Sequence, residues 1–476
     1  MTATPPPYDE LPPITKEIDL TAVQKKLARK SVAGSALGNA IEWFDYGIYG
    51  YLVTYIAAHF FTFGDDTGAW PTIFAFLTFA VSFLVRPLGG LILGPLGDRV
   101  GRQKVLVLTI IMISLATAAI GILPTFEQVG FLAPVLLVLL RMLQGFSAGG
   151  EYAGAAVFMS EHAPDNRRGA YGSFLEFGTL LGASCAAILC TTLTAVVGEQ
   201  GMLDFWWRVP FFVTLALGGV ALWLRSSLQE SETFKQDSKH TDENESAFKA
   251  LGNLFKHYPK QVFKLFGFVI LINVAFYIVL TYMPSYMATT LGQDPVASNW
   301  TLVAIQVAMM AVIVPFGALS DRIGRKPLLI AASLGFIVLS VPAVMLLQIE
   351  AIWSHLLGLG ILGLCLVMVI STISSTLPAL FPTAVRYSGF AIGYNISTAL
   401  FGGTAGAANA WLVEVTGSPL VPGFYLAVAG LIGLISVLTF NETAGRSLRG
   451  NVIPGSDDEK RVARGEKLVG KINTPA

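Results

Sequence analysis

Glu42 and Asp45 stand three residues apart in the stretch GNAIEWFDYGIYGY (38–51), which is otherwise free of charge. In a helix that spacing puts both carboxylates on one face, and Asn39 and Tyr49 extend the stripe. A second stretch, RMLQGFSAGGEYAG (141–154), places Arg141, Gln144, Ala148 and Glu151 on one face. Arg86 (LVRPLGG), Glu176 and Arg208 (WWRVPF) stand in other apolar runs. A charge at mid-bilayer costs roughly 2.5–3.5 kcal/mol, so buried acids in such runs mark a pathway. Four acids, Glu42, Asp45, Glu151 and Glu176, face three arginines, Arg86, Arg141 and Arg208, and Arg208 is near the outer edge. At least one carboxylate therefore lacks a permanent partner. A buried, unpaired carboxyl favours its protonated form, which is the behaviour of a proton carrier. No histidine lies mid-span, so the expected carrier is one of these four acids.

Depth counted at 1.5 Å per residue puts Glu42, Asp45 and Arg141 near mid-membrane, with Arg86 and Glu151 slightly toward the cytosol. The expected pairings are Arg141 with Asp45 or Glu42, and Arg86 with Glu151; the plain alternative is that such pairs only fix helix packing. Arg208 either pairs inside the membrane or snorkels to the interface. A zwitterion needs a cation for its carboxylate and an anion or aromatic face for its ammonium. Arg141 meets the first need, and Glu42, Trp43, Asp45, Tyr46 and Tyr277 the second, by charge and cation–π contact. Gln144, Asn273 and Asn395 are further candidate lining residues. The second half offers no mid-span charge, only polar residues such as Asn273, Tyr277, Tyr282, Gln306, Ser371, Ser374 and Asn395, which serve either a site or helix–helix contact.

These residues must be held by membrane helices. Of 476 residues, 54% are hydrophobic and 13% charged, against about 25% charged in soluble domains. Twelve candidate helices run near 31–59, 71–95, 105–124, 132–158, 170–197, 206–225, 262–289, 299–319, 328–348, 352–377, 388–413 and 420–440. Alternate connections carry Lys25, Lys26, Arg29 and Lys30, then Arg99, Arg102 and Lys104, then Arg167 and Arg168, and later Arg322, Arg325, Lys326 and Arg386. The opposite connections, TFGDDTGAW, PTFEQVG and LGQDPVASN, carry no Lys or Arg. The positive-inside rule places both termini in the cytosol. The polar, Pro-rich start lacks the apolar core of a signal peptide and reads as a disordered tail. Cys185, Cys190 and Cys365 lie in apolar runs and read as packing residues.

The chain also repeats. GPLGDRVGRQK (94–104) matches GALSDRIGRKP (317–327), and APDNRRG (163–169) echoes FPTAVRYSG (381–389). The expected architecture is all-α: a cytosolic tail (1–30), a six-helix bundle (31–225), a cytosolic linker (226–261), a second six-helix bundle (262–440) and a cytosolic tail (441–476), with the site between the bundles.

G-x-x-x-D-R-x-G-R in both halves resembles the signature of the major facilitator superfamily. The blocks GNAIEWFDYGIYG, RPLGGLILGPLGDRVGRQK, QGFSAGGEYAGA, WRVPFF, LTYMPSYM and STLPALFPTAVRYSG resemble its metabolite:proton symporters, over about residues 30 to 450. The resemblance implies a proton-coupled symporter in a bacterial cell membrane, with proline and glycine betaine, or ectoine-type solutes, as substrates. Relatives carrying 2-oxoglutarate, citrate or shikimate share many blocks, so a di- or tricarboxylate is the alternative; the acids beside the arginines repel polyanions. The resemblance also implies that Asp98, Arg99, Arg102, Glu161 and Arg168, with Asp321, Arg322, Arg325 and Arg386, form a cytosolic gate that latches the outward-facing state; by charge alone they serve topology only. The best-known osmosensory member ends in a coiled coil, whereas the tail here has no heptad pattern. Its basic residues suit an anionic lipid surface.

Other classes find less support. No nucleophile–His–acid set, metal-ligand cluster, cofactor loop or G-x-x-x-x-G-K-[ST] is present, so no enzyme, metal, cofactor or nucleic-acid partner is expected. Sodium in place of the proton, and a non-transporting sensor, remain as rivals; the oligomeric state is not readable.

Overall fold

The computed structural model describes residues 22–62, 68–100, 102–149, 151–227, 256–448, 452–457 and 459. Its described elements are helices. Numbered by passage, they are α1 (Ala22–Tyr51, continued by Val53–Phe60), α2 (Trp70–Val100), α3 (Arg102–Ile122), α4 (Leu132–Ser147, continued by Glu151–His162), α5 (Arg168–Asp204) and α6 (Val209–Ser227). There follow α7 (Pro259–Tyr277, running on to Thr290), α8 (Pro295–Ile323), α9 (Arg325–Leu347), α10 (Ile352–Ile370, continued by Ile373–Thr376), α11 (Arg386–Ser397, continued by Thr404–Thr416) and α12 (Val421–Leu438). Each expected apolar run falls on one of these passages. Eight helices among the described residues are long and apolar enough to cross a membrane, and Val107–Ile122 and Trp206–Leu222 are shorter apolar helices. The passages outside that count, α1 and α11, are more polar: α1 holds Glu42 and Asp45, and α11 is rich in Ser, Thr, Asn and Gly.

Within the first six helices α1 packs on α5, α2 on α4 and α3 on α6; within the last six α9 packs on α10 and α12, and α7 on α12. The two groups meet where α5 lies on α8, α2 on α11 and α1 on α7. Leu88, Ile92, Leu115, Val338, Val428 and Ile435 are exposed, as side chains that face lipid must be. Two glycines set the α2–α4 distance. A Cβ on Gly145 would run into the backbone of Ser82, and one on Gly149 into that of Arg86 and Gly90. Only bare backbone allows this approach, and it brings the Arg141–Gln144 face of α4 against Ser82 and Arg86. In α7 π-helical segments (Ile278–Tyr282 and Tyr286–Thr290) flank Pro284, and α11 has one at Thr398–Gly402. Pro lacks the N–H that a regular ladder needs, and such re-registered turns recur beside functional sites.

Candidate functional site

The polar face of α1 turns into the centre of the molecule. Trp43 and Tyr46 are buried there, and rings from α2 and α7 close around them. Ring centroids lie 4.7 Å apart for Trp43–Phe276, 6.1 Å for Trp43–Tyr277, 5.2 Å for Tyr46–Phe83 and 5.2 Å for Phe83–Tyr277. Into this box reaches the Arg86 guanidinium, 4.8 Å from the Tyr46 centroid and 4.8 Å from that of Phe83. Its Nη2 donates to Glu42 Oε1 at 2.8 Å. The result is a buried cation held by aromatic faces and one carboxylate. The expected partner, Glu151, has a side chain outside the described residues, so the described ion pair of Arg86 is with Glu42.

Asp45 lies on the other flank of the α1 face, 4% exposed. It forms no ion pair among the described residues. Its Oδ2 is 3.4 Å from Thr117 Oγ1 of α3, and its Oδ1 has no hydrogen-bond partner there. Arg141 does not reach it. Arg141 lies over Tyr49, 4.1 Å from the centroid, and donates to Gln144 Oε1 at 2.8 Å and to Ser82 Oγ at 3.4 Å. Gln144 in turn donates to Thr117 Oγ1 at 2.6 Å. The direct Arg141–carboxylate contact expected from depth is thus replaced by a chain through Gln144 and Thr117. Glu176 of α5 is buried and also lacks a cation among the described residues; it accepts from the Tyr152 hydroxyl at 2.5 Å. The Tyr152 ring stacks on Tyr394 of α11 at 4.7 Å.

Second-half candidates divide in two. Asn273 donates to Val269 O at 3.0 Å and Thr398 Oγ1 at 3.1 Å, tying α7 to the π segment of α11. Tyr277 joins the box. Asn395 donates to Gly149 O at 3.2 Å, and Gln306 to the Tyr51 hydroxyl at 2.9 Å, each crossing between the two groups of helices. Arg208 forms no ion pair among the described residues; it donates to Gly121 O at 2.9 Å and Leu123 O at 2.7 Å, capping the carbonyl end of α3.

At the opposite end the repeated motifs meet. Glu161, closing α4, bonds Arg386, opening α11, at 2.6 Å. Asp321, near the end of α8, accepts the N–H groups of Gly169 (2.8 Å) and Ala170 (2.9 Å) at the start of α5, where the helix dipole favours an anion. Arg325 Nη2 lies 3.4 Å from the same carboxylate. Arg168 pairs with Asp165 and donates to Ser160 O at 2.9 Å; Arg386 makes the matching bond to Pro378 O at 3.2 Å. Both arginines also hold the segment after α12, Arg168 through Arg446 O (2.9 Å) and Arg386 through Leu448 O (2.6 Å). Arg322 is exposed and takes no part in these contacts. The side chains of Asp98, Arg99 and Arg102 lie outside the described residues.

Sequence reasoning passed over several of these groups. Phe79 and Phe83 are set on the face of the already named Arg86, at spacings of four and three, the signal of a shared face. Thr117 is one of three hydroxyl residues in α3, with Thr109 and Ser114, and carries no such signal. Glu442 stands just past α12, yet it accepts the N–H groups of Arg325 (3.1 Å) and Lys326 (3.0 Å), which open α9. Gly324 makes room for it: its φ is 100°, and a Cβ there would lie 2.6 Å from Glu442 Oε2.

The Major Facilitator Superfamily model matches residues 35–408 and 265–454. The glycine betaine/proline/ectoine/pipecolic acid transporter OusA of Dickeya dadantii is 41% identical over 92% of this chain and 88% of its own length. The proline/betaine transporter of Escherichia coli (strain K12) is 39% identical over 94% of this chain and 89% of its own. Among solved structures, the proton:xylose symporter XylE bound to 6-bromo-6-deoxy-D-glucose superposes with a TM-score of 0.65 at 18% identity, covering 89% of this chain and 98% of that one.

Proposed function

The chain belongs to the major facilitator superfamily, and on that premise we propose that it is a proton-coupled symporter importing small zwitterionic osmolytes, of the proline and glycine betaine type, by alternating access. The observation that carries the substrate class is the aromatic box. It already holds a cation, the Arg86 guanidinium, with Glu42 as counter-ion. A quaternary or secondary ammonium suits the same surroundings. On binding, the substrate ammonium takes the place of the guanidinium against Tyr46, Phe83 and Glu42, and the displaced Arg86 meets the substrate carboxylate. Charge stays balanced throughout. Arg141, whose Nη atoms are engaged by Gln144 and Ser82, stays with the proton machinery. The names of the two relatives above support the same class.

Asp45 is the proton carrier in this reading, because it is buried with no cation against it among the described residues. Glu176 is the second choice. The passages α1–α6 and α7–α12 act as two six-helix units joined by the 226–261 linker, with both termini in the cytosol of a bacterial cell. The Glu161–Arg386 and Asp321–Gly169 contacts are the cytosolic latch. The decisive experiment is uptake into proteoliposomes with imposed pH or sodium gradients, using labelled proline, glycine betaine, ectoine, 2-oxoglutarate and citrate. Accumulation of the zwitterions driven by protons is expected. Accumulation driven by sodium alone, or of the carboxylates alone, refutes the reading.

A further inference from the structure

Thr117 and Gln144 form a chain between a cation and an anion that do not touch. The direction of every bond in it is set by donor chemistry. A guanidinium only donates, so Gln144 must turn its oxygen to Arg141, 2.8 Å away. Its amide nitrogen then faces Thr117 Oγ1 at 2.6 Å, and the threonine oxygen must accept. One hydroxyl hydrogen is left, with two acceptors in reach. Ile113 O is 2.7 Å away, Asp45 Oδ2 3.4 Å. Ile113 O is already satisfied by the α3 ladder, whereas Asp45 has no other hydrogen bond among the described residues.

We propose that Thr117 is a positioning residue for proton coupling: its hydroxyl turns between Ile113 O and Asp45 and so ties the protonation state of Asp45 to Arg141 through Gln144. With Asp45 ionised, the bonds run in one sense from Arg141 through Gln144 and Thr117 to the carboxylate. That is an indirect ion pair, with each bond polarising the next. With Asp45 protonated, the acid donates to Thr117, the hydroxyl donates to Ile113 O, and the run of bonds no longer ends on an anion. Arg141 is then released from that pull. The hydroxyl keeps its own hydrogen throughout: the proton that loads Asp45 comes from water on one side and returns to water on the other. α1 and α3 are joined to α2 and α4 by this chain, so a change at Asp45 reaches the helices that carry Ser82 and Arg141. The other ionisable groups around Asp45 are Glu42 and its partner Arg86, Arg141 itself, and the phenols of Tyr46 and Tyr49.

The proposal rests on Asp45 as the carrier and is tested beside it. In proteoliposomes, substrate exchange at equal pH is compared with accumulation under an imposed pH gradient. Thr117→Val keeps the shape and removes the hydroxyl. It is expected to retain exchange while accumulation falls about tenfold, one charge-assisted bond's worth, and Thr117→Ser is expected to restore accumulation. Thr117→Ala, which removes the hydroxyl with a smaller side chain, is expected to show the same split and serves where the valine variant does not insert. Normal accumulation by Thr117→Val, or by Thr117→Ala in its place, overturns the proposal. So does equal loss of exchange and accumulation, which marks a packing role. Asp45→Asn separates the two levels. If it abolishes accumulation while Thr117→Val does not, only the chain falls; if it accumulates normally, the carrier reading falls with it.

Discussion

Replacing Glu161 by Gln tests the latch with one atom changed. The pair it forms with Arg386 is 2.6 Å long, with Arg386 1% and Glu161 22% exposed. A hydrogen bond to a charged group nets about 1.5–3 kcal/mol. Arg386 keeps its bonds to Pro378 O and Leu448 O, so the substitution does not strand a bare charge. The partial exposure of Glu161 discounts the value to about 1.5 kcal/mol. The bond exists only while the ends of α4 and α11 meet, so its loss acts on one conformation and shifts the closed-to-open ratio by about tenfold. Ser173 is a suitable reporter. It is buried on α5, and a Cβ on Gly317 of α8 would lie 2.6 Å from its Oγ. With Cys185, Cys190 and Cys365 replaced by alanine, alkylation of Cys introduced by Ser173→Cys reads the open fraction directly in inside-out vesicles. Glu161→Gln should raise the substrate-free alkylation rate about tenfold, and Glu161→Asp by less. An unchanged rate with normal insertion refutes the latch and leaves the pair as local packing.

Further outcomes follow from the same contacts. Phe83→Leu keeps an apolar side chain and removes a π face worth ~0.5–2 kcal/mol to a bound cation; the KM for glycine betaine should rise roughly twofold to thirtyfold, and that for proline less, since its N–H groups still donate to Glu42. Equal effects on both would place the ammonium elsewhere. Glu442 is half-buried, which raises its pKa, but the N–H groups of Ala444, Arg325 and Lys326 and the Arg325 charge outweigh burial and hold it below the usual carboxylate range. Its folded value being the lower one, its contribution is fully present above the unfolded value of about 4.3 and is lost as pH falls through the folded value. Hydrogen exchange at the Arg325 and Lys326 amides should therefore stay slow, after correction for intrinsic rate, from neutral pH down to about 4 and quicken below it, while Glu442→Gln is fast at every pH. Deleting residues 450–476 spares the bonds of Thr443, Arg446 and Leu448; transport should persist, and any dependence on osmolality should flatten if the basic tail rests on anionic lipid at about 1 kcal/mol per residue.

The helices were legible because apolar length is a property of single segments. The cluster of charged contacts at the helix ends was partly legible because its motifs repeat, and the repeat is visible in space as the matching Arg168–Ser160 and Arg386–Pro378 bonds. Pairings inside the bundle were not. Counting residues from a helix end gives depth, one coordinate of three. Arg141 and Asp45 share a depth, but Gln144 and Thr117 stand between them, and rotation of α1 decides that Glu42 meets Arg86. The aromatic box was hidden for a related reason. Among 31 phenylalanines, Phe83 and Phe276 differ from lipid-facing ones only in what stands opposite. Thr117 is distinguished only by where its one hydroxyl hydrogen can turn, which no spacing announces.

Glu42 and Asp45 sit less than one turn apart, so whatever neutralises Glu42 sets the field at Asp45. In this structure Arg86 does so. If a zwitterion replaces it, the incoming ammonium takes over the role, Arg86 turns to the incoming carboxylate, and the charge beside Asp45 is unchanged. Binding then makes no electrostatic demand for a second proton, and coupling runs through the conformation that Asp45 and its chain select. A dicarboxylate would act differently. It would draw Arg86 away without supplying a cation, and Glu42 would have to be protonated as well. One proton per zwitterion moves one charge, which at 100 mV supplies ~2.3 kcal/mol, or roughly fiftyfold accumulation. A carboxylate carrier built on the same helix needs at least two protons per turnover. On the proposed reading, the acids of α1 tie the substrate class and the stoichiometry together.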